Sequence, residues 1–186
     1  MTVDEARALM HEWVQSDSLR QHIEGVACCC AAYAKKLAPD EVDTWTVVGL
    51  LHDFDYEKHP TAEEHPYVGV AHLESIGVDE SIRRAILSHA DYTGVPRDTP
   101  MAKVLYAVDE LSGFIAAVAK VRPNGITDLA PKSVKKKLKD KAFAAAVSRE
   151  DINRGIEDLG VDPTEHIQVC IDAMREERER LGLSSC

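Results

Sequence analysis

Apolar residues recur at three- and four-residue steps along most of the chain, and no segment alternates with the period of two that a half-buried strand requires. Val42, Trp45, Val48 and Leu51 mark one such face, and Val104, Leu105, Val108, Leu111 and Ile115 another. This pattern restricts the chain to an all-α fold. Helices are expected over residues 3–14, over 17–37 with Ser16 or Asp17 as cap, and from Pro39 to near His52 and Asp53. FDYEKHPTAEE reads as a loop. Further helices are expected over 65–76 (closed by Gly77), 79–90 and 101–121, with DYTGVPRDTP between the last two as a loop and RPNG as the stop. Three shorter helices are expected near 131–138, 140–147 and 149–159. A final one starts after Asp162 with Pro163 in its first turn, and its charged end MREERERLGL is expected to be solvated. There is no internal repeat and no Gly/Ser linker, so residues 1–186 read as one domain.

Composition removes several function classes. The net charge of −10 argues against a nucleic-acid polymer as partner. No run reaches the roughly 18 apolar residues of a membrane span. The opening MTVDEARALM lacks the basic and apolar regions of a secretory signal. Five cysteines are present, and Cys28, Cys29 and Cys30 are consecutive. Neighbours on a helix point about 100° apart, so these three read as small packing residues in a reduced compartment. The expected location is cytoplasmic, and the sequence is silent on oligomeric state.

Six of the chain's candidate donors fall at helix ends or on helix faces: His22, His52, Asp53, His65, His89 and Asp109. Imidazole and carboxylate suit divalent Fe, Mn, Zn, Co or Ni. A histidine followed by an aspartate at the end of an apolar helix offers one nitrogen ligand and a carboxylate that can bridge two ions. Each residue alone is more often structural; their order gives them weight. His11, His59 and His166 read as surface or packing residues. His72, beyond His65 on the same helix, can either pack or support the ligands. Lys132, Lys135, Lys136, Lys137, Lys139 and Lys141 form the one basic island. It reads as a solvated helix face or as a phosphate-attracting rim, with Arg97 and Arg149 as weaker candidates of the latter kind.

The segments HIEGVACCCAAYA, VVGLLHDFDYEK, HPYVGVAHLESIG, AILSHADY and VLYAVDELSGFI together resemble the ordered motifs H…HD…H…H…D of the HD superfamily, over roughly residues 16–118. SVKKKLKDKAFAAAVSRED extends the resemblance, to a group of small predicted HD hydrolases, as far as about residue 160. The resemblance implies an HD-like helical core at about 16–120 with a C-terminal helical extension at about 121–186. It implies a metal-dependent phosphohydrolase holding one or two divalent ions (Fe, Mn, Co, Ni, Zn or Mg) and acting on a nucleotide or other small phosphorylated substrate. His22, His52, Asp53 and Asp109 would hold the first ion. Asp53 would bridge to a second completed by His65 and His89. Asp53 or Asp55 would handle the proton, and Lys58 would take the part of the lysine in the HD-I-G-K version. The chain departs from that version in reading HDFDYEK, and it has Ala90 after His89 where nucleotide-signalling members have a second histidine. The same ligand order also resembles that of di-iron HD oxygenases, and a metal-stabilised binding domain without turnover is a third possibility.

Overall fold

A computed structural model describes residues 1–184. Among them are nine α-helices and no strand: α1 (Val3–Trp13), α2 (Asp17–Leu37), α3 (Val42–Leu51), α4 (Tyr67–Ser75), α5 (Glu80–Ser88), α6 (Pro100–Lys120), α7 (Pro131–Leu138), α8 (Arg149–Leu159) and α9 (Pro163–Glu176). Short 3-10 turns cover Pro39–Glu41 and Asp91–Thr93. The caps follow the sequence. Thr2 and Glu5 form a capping box at α1, and the side chains of Ser16, Thr99, Ser148 and Asp162 accept from the first-turn amides of α2, α6, α8 and α9. No helix among the described residues is long and apolar enough to cross a membrane.

Helices α2, α3 and α6 are the trunk, and small residues set how closely they approach. A Cβ on Gly49 of α3 would lie 2.5 Å from the Cα of Ala27 in α2, and one on Gly155 of α8 would lie 2.6 Å from the Cα of Ala107 in α6. The helices therefore touch backbone to backbone, which a larger side chain at either glycine would prevent. A continuous apolar core runs from Ala6 to Leu183, with Trp45, Phe54 and Phe114 among its largest fully buried side chains. Cys29, Cys30 and Cys170 are buried thiols in this core and Cys28 is partly buried; Cys186 lies outside the described residues. Hydrogen bonding to Cys170 and Cys28, with burial, pushes the Cys29 thiol well above its usual range, and burial does the same for Cys30.

Four expectations change. Helix α4 begins at Tyr67, not His65. Pro66 disfavours the helical region for the residue before it, so His65 stays in the preceding turn. Helix α5 stops at Ser88, with His89 as its C-cap. Residues 140–147 form turns instead of a helix. The Asp140 carboxylate takes the amides of Ala142 and Phe143 at 3.2 and 3.3 Å, as a helix cap would, but Ala144 has φ +43°, which a right-handed helix cannot continue through. The end of the chain is not wholly solvated either. Leu181 and Leu183 are buried, the Leu183 carbonyl accepts from the Ile126 amide, and the Arg175 guanidinium donates to the carbonyls of Ile126 and Leu129.

His166 on α9 is fully buried and joins α9 to the trunk helices α2 and α6. Its Nε2–H donates to the Ala107 carbonyl of α6 at 3.0 Å, and its Nδ1 accepts from the Tyr33 hydroxyl of α2 at 2.5 Å. That pairing uses the neutral ring, and burial holds its pKa below the usual histidine value. An unfolded histidine takes up its proton near pH 6.5, roughly, and the buried ring only at lower pH. Between the two values the unfolded chain binds more protons, so this site loses stability as pH falls. Wild type should therefore be more stable than His166→Asn at about pH 7.5, and denaturant titrations should show that margin narrowing by about pH 5.5. A constant margin would mean that the ring is not held neutral.

Candidate metal centre

Five elements deliver the six donors to one place. His22 comes from α2, His52 and Asp53 from the end of α3, and Asp109 from the middle of α6. His65 comes from the turn before α4, and His89 from the end of α5. On one side, His22 Nε2 lies 3.1 Å from Asp109 Oδ1 and 3.7 Å from Asp53 Oδ2. His52 Nε2 lies 3.5 Å from each of the same two oxygens. On the other side, His65 Nε2 and His89 Nε2 each lie 3.3 Å from Asp53 Oδ1 and 3.3 Å from one another. Asp53 thus turns one carboxylate oxygen to each set.

Three of the four imidazoles are oriented from behind. His52 Nδ1 donates to the Gly49 carbonyl at 2.8 Å, His89 Nδ1 to the Ile86 carbonyl at 2.5 Å, and His65 Nδ1 to Asp55 Oδ1 at 2.7 Å. Each bond fixes the tautomer that leaves Nε2 with its lone pair facing the cluster. The His52 side chain is fully buried, yet its Nε2 makes no hydrogen bond. An unsatisfied buried nitrogen facing two carboxylates is the mark of a donor atom reserved for a cation. The separations agree, because ligands about 2.1 Å from a shared ion stand about 3.0–3.5 Å apart. His22, His52 and Asp53 form one group able to hold an ion, and Asp53, His65 and His89 a second.

Without a cation the cluster draws protons instead. Burial opposes charge on His52, but the Asp53 and Asp109 carboxylates outweigh it and raise the ring to about 9. His65 is likewise raised to about 9 against burial, by Asp53 and Asp55. Burial works against ionised Asp53 too, but His52, His65 and His89 hold it well below the usual carboxylate range. The two carboxylates require positive charge between them, which a divalent ion supplies with neutral imidazoles as ligands.

Other expected site residues lie elsewhere or do something else. Asp55 is 1% exposed, and its oxygens are taken by His65 Nδ1 and by the Gly69 amide at 2.7 Å. That geometry holds His65 in place. Gly69 permits it, since a Cβ there would lie 2.8 Å from the Asp55 carboxylate. The Lys58 ammonium sits over the Trp13 ring, 4.7 Å from its centroid. His72 packs on the same ring at 4.9 Å. Arg149 donates to the carbonyls of Ala144 and Val147 and so ties down the 140–147 turns. Arg97 donates to the Ser88 carbonyl and to Asp91, on either side of His89, with its guanidinium 3.7 Å from the Tyr106 ring centroid. Helix α7 buries Pro131 and Val134 and leaves Lys132, Lys135 and Lys136 exposed. The orienting partners Gly49 and Gly69 carried no signal that sequence reading could use.

A scan against protein-family models matches residues 19–113, just over half of the chain, to the HD domain. The chain belongs to the HD domain family. The match contains all six donors, from His22 on α2 to Asp109 on α6, and ends within α6. Members of this family are generally metal-dependent phosphohydrolases, and the paired histidine–aspartate groups of this HD domain could hold metal. No curated protein and no solved structure matched the chain.

Proposed function

We propose that this HD domain is a metal-dependent phosphohydrolase that cleaves a nucleotide or another small phosphate ester. The observation that carries the reading is the division of Asp53, with Oδ2 facing His22 and His52 and Oδ1 facing His65 and His89. In this reading His22, His52, Asp53 and Asp109 hold the first ion, and Asp53, His65 and His89 the second. Four imidazole nitrogens favour a transition metal over Mg. Divalent metal at such a site lowers the pKa of water and neutralises phosphoryl charge.

The remaining roles belong to the protein. The Gly49 and Ile86 carbonyls and the Asp55 carboxylate keep the Nε2 atoms of His52, His89 and His65 aimed inward, ready for an ion. Burial of His52 and Asp55 keeps water from those hydrogen bonds. Residues 1–186 act as one domain, in which the C-terminal helices buttress α2 and α6, partly through His166.

Protein purified without oxygen, analysed for metal and assayed on a panel of phosphate monoesters, tests this. Phosphate release that is independent of oxygen, lost with chelator and restored by a divalent ion, is expected. Bound iron with an oxygen requirement would replace the proposal with an oxygenase. Bound metal with no turnover on any ester would leave a binding domain.

A further inference from the structure

The chain has ten aromatic residues of the Phe, Trp and Tyr types, and among the described residues only Tyr56, Tyr67 and Tyr92 are exposed, at 44%, 40% and 52%. Two of them touch His65, and the third follows it closely in the chain. The Tyr56 ring stands edge-on to the His65 imidazole, with centroids 5.1 Å apart and planes at 86°. The Tyr92 hydroxyl donates to the His65 carbonyl at 2.9 Å. Tyr67 opens α4 two residues after His65. The Tyr92 phenol is raised by burial and then by Asp53, Asp55, Tyr67 and Tyr56, so each of these groups lies within electrostatic reach of Tyr92. No exposed aromatic residue comes from the helices that carry His22 and Asp109.

Tyr56 touches the His65 ring, but neither Tyr56 nor Tyr67 belongs to the apolar core. Their hydroxyls make no hydrogen bond to the described residues, and their rings lie largely outside the core. Scattered apolar residues are normal on a surface, but three exposed rings beside one donor cluster are not scattered. Tyrosine offers a flat apolar face with a polar tip, which suits a solvent-facing platform for another ring.

We infer that Tyr56, Tyr67 and Tyr92 form an aromatic rim on the His65–His89 side of the centre that stacks a planar ring of the substrate, making the site selective for phosphate esters that carry such a ring over sugar and open-chain phosphates. The inference rests on the phosphohydrolase reading and specifies its substrate. No bond changes at the rim. It binds and orients the ring, while the ester is cleaved by water at the donor cluster.

Adenosine monophosphate and ribose 5-phosphate present the same ester with and without a ring, so the ratio of their kcat/KM values isolates the rim. The metal-loaded full chain should prefer the first. The double variant Tyr56→Leu/Tyr67→Leu should narrow the ratio by about tenfold for each ring lost, the scale of base–aromatic stacking. Tyr92→Phe keeps its ring and should keep the preference. Independently of turnover, adenosine should shift the ring resonances of isotope-labelled Tyr56 and Tyr67 in the NMR spectrum. If the double variant loses its native spectrum, Tyr67→Leu alone carries the test. Equal kcat/KM values in wild type, an unchanged ratio in the variant, or unmoved tyrosine resonances would overturn the rim. Adenosine shifts without hydrolysis of either ester would uphold the rim and overturn the phosphohydrolase reading. Hydrolysis of both esters with equal kcat/KM would do the reverse.

Discussion

Asp53→Ala should leave a protein that retains neither ion and turns over no phosphate ester at a useful rate. Asp53 is the one residue whose oxygens face both donor sets, at 3.3 Å from His65 and His89 and at 3.5 and 3.7 Å from His52 and His22. Its removal withdraws one ligand from each set and one of the two carboxylate charges facing His52. Loss of a residue that merely supports a ligand lowers metal affinity or activity by about 10–100-fold, and losing the bridge itself should exceed that. Metal content by elemental analysis and kcat/KM should fall together. His65→Ala should behave differently, lowering the second ion's occupancy while His22, His52, Asp53 and Asp109 retain the first. Near-normal turnover and metal content in Asp53→Ala would remove the bridging role and the mechanism built on it.

Gly49→Val should be highly damaging although it touches none of the donors. A Cβ at this position would sit 2.5 Å from the Ala27 Cα and 2.9 Å from its amide nitrogen, both backbone atoms with no rotamer to relieve the clash. Helix α3 would have to move off α2. Overpacking a core ordinarily costs about 1–3 kcal/mol, and a backbone–backbone contact belongs at the upper end, about 3 kcal/mol. The same displacement would carry away the Gly49 carbonyl that fixes His52. Urea titration should show the stability loss, and metal binding should weaken even in the fraction that stays folded. Gly77→Ala is the contrasting control. Gly77 has φ +78° but nothing within 4 Å of its Cβ position, so only local backbone strain is at stake.

Much of this was legible because helices announce themselves locally. Caps such as Ser16 and Thr99, the proline in the first turn of α6 and α9, and the three- to four-residue apolar spacing each act within one or two turns. Where reading failed, a neighbouring group had intervened. Residues 140–147 carry the alanines of a helix, but the Asp140 carboxylate and the Arg149 guanidinium satisfy their backbone as turns. MREERERLGL reads as solvated, yet Leu181 and Leu183 find a place in the core that composition cannot foresee.

The sequence by itself determined the helical class, the family and the identity of six candidate donors, because periodicity and motif order are one-dimensional properties. Tertiary structure alone decided what surrounds those donors. The roles of Asp55 and Lys58 are the clearest case. Both sit within five residues of Asp53 in the chain, yet Asp55 is spent on His65 and Gly69, and Lys58 on the face of Trp13. Proximity in sequence left their partners open, since a side chain's hydrogen bonds depend on which remote backbone and rings pack against it. The resemblance already implied that Asp53 serves both donor sets, and the tertiary structure supplies the geometry, with Oδ2 toward His22 and His52 and Oδ1 toward His65 and His89. That geometry arises where α2, the ends of α3 and α5, the turn before α4, and α6 meet, and Gly49 sets the spacing of α2 and α3 there by letting their backbones touch.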